Sequence, residues 1–215
     1  MNRNAQSYSK LASMPTSISY SELLLKINPG DIIVFSGKDL PSNVVKIATQ
    51  SDYVHVAIVL SIEDNRDDGN CILLAESHID TSLPSIGTRE CRQGAQIQWL
   101  EKRLQICKDP VRWSKLNPEL NPAETVKLQG WLWEIEQSKV GYDYLQAIGS
   151  GIGIFGTTDF STLFCSELVT RALQIVGRVF PHVNPSATTP AQVVALPCLS
   201  APIEIQYKPV KFITN

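Results

Sequence analysis

The stretch Phe164-Cys165-Ser166-Glu167-Leu168-Val169 opens an amphipathic helix. Cys165, Leu168, Val169, Ala172, Leu173 and Val176 recur at helical spacing, while Ser166, Glu167, Thr170, Arg171 and Gln174 take the opposite side. Ser161 and Thr162 are N-cap types and Gly177 is a C′ type, so both ends of the helix are marked. These limits put Cys165 in the first turn. Open backbone N–H groups and the positive end of the helix dipole favour a thiolate there, and the thiolate is the nucleophilic form of cysteine. A cysteine on an apolar stripe is inert packing unless a base reaches its sulfur.

Tyr53-Val54-His55-Val56-Ala57-Ile58-Val59 offers that base. From Val54 to Ile62 both alternating sets are mostly apolar, which predicts an interior strand covered on both faces, with His55 beside Ala57 and Val59. The polar turn formers of 63–70 separate it from Cys71-Ile72-Leu73-Leu74-Ala75-Glu76, so the simplest pairing is an antiparallel hairpin. One register sets His55 opposite Glu76; another sets it opposite His78, with Glu76 one diagonal step away. Either brings an acid or a second imidazole to roughly 5–8 Å from His55 across the strands.

Around this pair the chain reads as follows. Ser21 to Leu25 starts a short helix or an extended lead-in, Pro29-Gly30-Asp31 turns into the strand Ile32–Phe35, and Pro41-Ser42-Asn43 opens a short helix to Gln50. Ala95–Leu100 and Pro110–Ser114 form two more strands. Asn121 caps a helix running to Lys139, with Pro122 in its first turn and Val126, Trp131, Leu132 and Ile135 on one face. Ala147 to Gly156 is glycine-laced and apolar, fit to wall a pocket, with no phosphate-loop signature. Thr189 to Gln192 starts a short helix, and Ile203–Tyr207 with Val210–Phe212 closes the chain as one or two strands. Glu167, on the polar side of the cysteine helix, pairs with Arg171 at i,i+4, Asp31 ties its turn, and His182 lies in an exposed loop.

Composition sets the bounds. The 215 residues are 43% hydrophobic and 19% charged, an ordinary globular balance, read as a flexible arm over 1–20 and a single domain over 21–215. A net charge of −2 without a Lys/Arg cluster argues against nucleic acid as a partner. Five cysteines with no C-x-x-C pair suggest reduced thiols, neither a disulfide framework nor a metal site. The polar start of the chain and the lack of a run of about eighteen apolar residues predict a cytoplasmic protein with no transmembrane segment.

Gly30-Asp31-Ile32-Ile33, Ser51-Asp52-Tyr53-Val54-His55-Val56-Ala57-Ile58, Leu74-Ala75-Glu76, Gly141-Tyr142-Asp143 and Phe164-Cys165-Ser166-Glu167-Leu168-Val169 together resemble the circularly permuted branch of the NlpC/P60 papain-like superfamily. The likeness is to its YiiX/YaeF-like group, with lecithin retinol acyltransferase-like proteins as more distant cousins. In ordinary papain-like enzymes the cysteine helix precedes the histidine strand; here the histidine comes first. The resemblance implies an α+β permuted papain-like fold, an antiparallel sheet of about five or six strands packed against the cysteine helix. It implies a cysteine hydrolase of amidase or peptidase type with Cys165 as nucleophile, His55 as base, Glu76 (or His78) orienting the imidazole, and Tyr142 matching a family Tyr-Asp signature at the substrate site. The Cys165 backbone N–H would help hold the oxyanion. No cofactor is called for, and the partner would be a small molecule, peptide or lipid-like substrate with an amide or ester bond. The alternatives are a lipid acyltransferase and a non-catalytic ligand-binding module.

Overall fold

Runs of β-branched and other apolar residues build a sheet, and helices cover both of its faces. The computed structural model describes residues 16–37, 51–63, 71–139 and 161–208, with 161–164 as backbone alone. In chain order the elements are β1 (Ser17–Ser19), α1 (Tyr20–Leu24), β2 (Ile32–Ser36), β3 (Tyr53–Ile62), β4 (Ile72–His78), β5 (Gly94–Trp99), α2 (Leu100–Ile106), β6 (Val111–Ser114), α3 (Pro122–Gln137), α4 (Ser161–Ile175), α5 (Pro190–Val194) and β7 (Ile203–Gln206). The expected arm over 1–15, the helix at 44–50, Tyr142, the 147–156 segment and the 210–212 strand lie outside the described residues.

The strands form one seven-stranded sheet in the order β1-β7-β6-β2-β3-β4-β5. All neighbours are antiparallel except β1 and β7, which run parallel. The sequence reading expected fewer strands and placed residues 17–19 in a loose arm. Three residues are too few to show an alternation of their own; their pairing with the last strand fixes them.

Two apolar layers flank the sheet. Val56, Ile58 and Leu60 of β3 pack with Leu128 and Leu132 of α3, Leu168, Val169 and Leu173 of α4 and Val193 of α5. Ala57 and Val59 pack on the other side with Phe35, Leu23 and Leu100, under α1 and α2. The interior strand with both faces covered, expected of Val54–Ile62, is what β3 is.

Local chemistry sets most element ends. Asn121 and Glu124 form a reciprocal capping box at α3, each bond 2.9 Å long, worth about 1 kcal/mol. The inner face of α3 is Leu128, Leu132 and Glu136, whereas Val126, expected inside, is 69% exposed. Glu136 can be buried because its Oε1 accepts from Ser85 Oγ at 2.6 Å and Thr88 N–H at 2.8 Å. Gly177 takes φ 71°, and the N–H groups of Gly177 and Arg178 return to the carbonyls of Gln174 and Leu173, closing α4 with the expected glycine. Gly30 takes φ 92°, and a Cβ there would stand 2.9 Å from both Leu116 and Leu120.

Two expectations change. The fifth strand ends at Trp99, and Leu100, read as its last residue, starts α2. Helix α4 begins at Ser161, which makes Cys165 its fifth residue instead of a first-turn residue. A fifth residue's N–H bonds the carbonyl of the first, so the Cys165 N–H is spent within the helix and the dipole acts on the sulfur less directly than expected.

Candidate active site

His55 is the third residue of β3, and alternation sets it on the α2 side of the sheet with Phe35, its direct partner on β2. The β2–β3 register shifts between Phe35 and Ser36, a bulge of the kind that re-aims side chains at a strand end. On the other flank Ile58 pairs with Ala75 and Val59 with Leu74. Continued toward the strand start, that register sets His55 opposite His78 with Glu76 on the diagonal, the second of the two registers open to the sequence. The His55 and His78 rings meet edge to face, 4.6 Å between centroids, and the Phe35 ring lies 5.2 Å from His55.

The diagonal residue makes the hydrogen bond. His55 Nε2 is 2.6 Å from Glu76 Oε2, with His55 only 6% exposed and Glu76 not at all. With Nε2 so engaged, Nδ1 is the nitrogen left for Cys165, whose side chain shares a hydrogen bond with His55. Cys165 comes from the opposite layer, where it is fully buried among the core residues of α4. Position 165 thus meets position 55 near the start of β3. None of the five cysteines is in a disulfide.

The electrostatics follow from the packing. Burial works against a charge on His55, but the charge and hydrogen bond of Cys165 and then those of Glu76 outweigh it, and the imidazole is raised to about 9. Burial likewise pushes the Glu76 carboxyl up, yet the Arg103 guanidinium and then His55 hold it down at about 2. His78 goes the other way, lowered to about 3 by burial and by the neighbouring His55 charge. Its Nδ1 accepts the Asp80 N–H at 2.8 Å, so this neutral ring carries its proton on Nε2.

Arg103 is the residue that sequence reading missed. It sits on α2, 8% exposed, with Nε 3.1 Å from Glu76 Oε1 and Nη1 3.3 Å from Asp80 Oδ2. Its guanidinium also lies over the Phe35 ring, 5.5 Å from the centroid. Leu100 and Leu104, one helical turn apart, were the available signal for a helix that carries Arg103 inward.

A pocket of about 570 Å³ opens beside this cluster, lined among others by Phe35, Val54, His55, His78, Asp80 and Arg103. Cys165 does not line it. Among the described residues no group of three or more His, Cys, Asp or Glu side chains is set to hold a metal ion, and no helix is long and apolar enough to cross a membrane. Glu167 pairs with Arg171 at 3.2 Å, as its spacing suggested, and also accepts from Ser186 Oγ. His182 is exposed and stacks on Phe180.

No protein-family model matches the chain. No curated protein matches it either. Among solved structures it is similar to the metalloprotein YiiX of Escherichia coli O157:H7, a DUF1105 protein, with a TM-score of 0.51 at 15% identity. The likeness covers 84% of this chain and 98% of that one, and at this identity it speaks for a shared mixed α+β fold.

Proposed function

We propose that this protein is a cysteine-dependent hydrolase of amidase or peptidase type on a permuted papain-like fold, with Cys165, His55 and Glu76 as its catalytic triad. The observation that carries the reading is the buried chain of contacts Cys165–His55–Glu76, with the Glu76 carboxylate 2.6 Å from His55 Nε2 and the Cys165 side chain hydrogen-bonded to the same ring. A thiol needs a base, and the base works best when a third group fixes its tautomer and orientation. The mixed α+β fold shared with YiiX is compatible with the reading, and in this chain the histidine strand precedes the cysteine helix.

In the reaction, His55 takes the Cys165 proton and the sulfur attacks an amide or ester carbonyl. The tetrahedral adduct collapses as His55 returns the proton to the departing amine or alcohol, leaving an acyl-enzyme. Water, deprotonated by His55, then attacks the acyl carbon, releasing the acid and restoring the thiol. Glu76 stays a carboxylate throughout and supports the imidazolium. Since Cys165 is fully buried, substrate entry has to uncover its sulfur.

Brief treatment with a sub-stoichiometric thiol alkylator, followed by intact mass and peptide mapping, tests this. Reached through the same opening a substrate needs, Cys165 should label ahead of the exposed Cys91, and its labelling should drop at least tenfold in His55→Ala; indiscriminate labelling, or labelling indifferent to His55, would count against an activated pair. Selective labelling justifies screening amides and esters with and without an amine acceptor, which separates hydrolysis from acyl transfer.

A further inference from the structure

Glu76 divides its two oxygens between two partners: Oε2 faces His55 at 2.6 Å and Oε1 faces Arg103 Nε at 3.1 Å. We propose that Arg103 is a positioning residue for the candidate triad, holding Glu76 as an ionised, oriented carboxylate so that Glu76 can hold His55. The inference deepens the hydrolase reading and rests on it.

Burying Glu76 carries a cost. A carboxylate with no exposure at all takes up a proton unless a cation compensates it. A protonated Glu76 could no longer accept from His55 Nε2–H while supporting a positive ring. His55 by itself is a poor guarantor, because its own charge depends on Cys165 and on Glu76. Arg103 supplies a fixed positive charge on a planar guanidinium.

Arg103 is in turn held on three sides. Asp80 takes Nη1, the Phe35 ring lies under the guanidinium, and the α2 backbone fixes its stem. Phe35 is also the strand partner of His55, so one ring backs both the base and the cation. The Nε–Oε1 contact is close but out of hydrogen-bond alignment, and both atoms are otherwise without a partner. Its strength is therefore chiefly charge.

A rival account makes Arg103 only a tie between α2 and the sheet. The two accounts differ in sign. The ionisable groups around His55 are Glu76 and His78 on β4, Asp80 just after it, Arg103 on α2 and Cys165 on α4. Deleting a mere cationic neighbour would leave the His55 titration alone or raise it, since one positive charge fewer faces the imidazolium. Deleting a positioning arginine neutralises Glu76 and lowers it.

Imidazole ¹⁵N NMR of the full chain, with only three histidines to assign, reads this directly. In Arg103→Met and Arg103→Gln the His55 midpoint should fall by about one pH unit or more, and Cys165 labelling at pH 7 should slow about tenfold. Arg103→Lys, which keeps the charge, should recover most of both. An unchanged or raised midpoint in the neutral variants overturns the proposal. Should those variants not fold, ¹³C titration of Glu76 in the unaltered protein decides: a carboxyl ionising at or above about 4.3 has no such anchor. The hydrolase reading is scored separately by His55→Ala labelling, so failure of the Arg103 proposal leaves that reading standing and the two failures are distinguishable.

Discussion

Trp113 Nε1 donates to Asp31 Oδ2 at 2.8 Å, tying β6 to the turn that opens β2. The same carboxylate accepts the N–H of Asn28 at 3.0 Å and of Leu116 at 2.8 Å. Burial outweighs these bonds and raises its carboxyl to about 6. Asp31→Ala leaves the buried Trp113 and Leu116 donors without an acceptor, at about 1–3 kcal/mol each. Urea unfolding should show a combined loss of about 3 kcal/mol or more, and a loss below about 1 kcal/mol would mean that water replaces the carboxylate.

At the candidate site, Glu76→Gln keeps the shape and removes the charge between His55 and Arg103. Breaking a buried pair from one side costs about 3–5 kcal/mol, because the abandoned charge stays inside. Cys165 labelling should also slow at least tenfold. Full stability with full labelling would show that Glu76 neither anchors nor activates.

Acid unfolding carries a second signature of that carboxylate. Burial raises the Glu76 pKa, Arg103 and His55 lower it more, and it settles at about 2 against 4.5 in a free chain. A depressed pKa contributes stability that is present above pH 4.5 and is lost as pH falls through 2, about 3 kcal/mol over the window. His78, lowered to about 3, also loses stability toward acid, starting from pH 6.5, whereas Asp31, raised to about 6, gains it between pH 6 and 3.8. The difference between unaltered protein and Glu76→Gln carries the first contribution, together with the change it makes at His78, whose charge the carboxylate favours. Chemical denaturation from pH 5 to 2 should show the two curves converging, and parallel curves would contradict the assignment.

Two glycines should part company. A Cβ on Gly177 meets nothing within 4 Å, so Gly177→Ala costs only the strain of φ 71°, about 1 kcal/mol. A Cβ on Gly30 meets Leu116 and Leu120 at 2.9 Å on top of a φ of 92°. Thermal melts should therefore place Gly30→Ala well below Gly177→Ala; equal melting points would mean the two leucines yield freely.

Where the amino-acid pattern was dense, it was readable. β3 showed its interior position by being apolar on both alternating sets, and α3 showed its start through Asn121-Pro122 and Glu124. The meeting of His55 with Glu76 was legible as a choice of two registers, because a period of two leaves the sum of paired positions open by one step on each side. Other elements depended on partners far away in sequence. β1 exists through its pairing with β7, and α2 is too short to display a full stripe. The inner face of α3 was misread because Glu136, a charged residue, is what it buries beside Leu132, with Ser85 and Thr88 meeting its carboxylate. Arg103 escaped notice for the same reason: a buried cation is recognisable only once the acid it serves is in place.

The parallel pairing of β1 with β7 puts residues 17–19 beside residues 204–206. Both ends of the described chain therefore finish on neighbouring strands, and the path is nearly a ring with one cut. Closed there and reopened at the exposed Asn117–Glu119 corner between β6 and α3, the same ring would be read from α3 onward. Cys165 would then precede His55. Which of the two residues comes first is a property of the cut, while their meeting belongs to the ring.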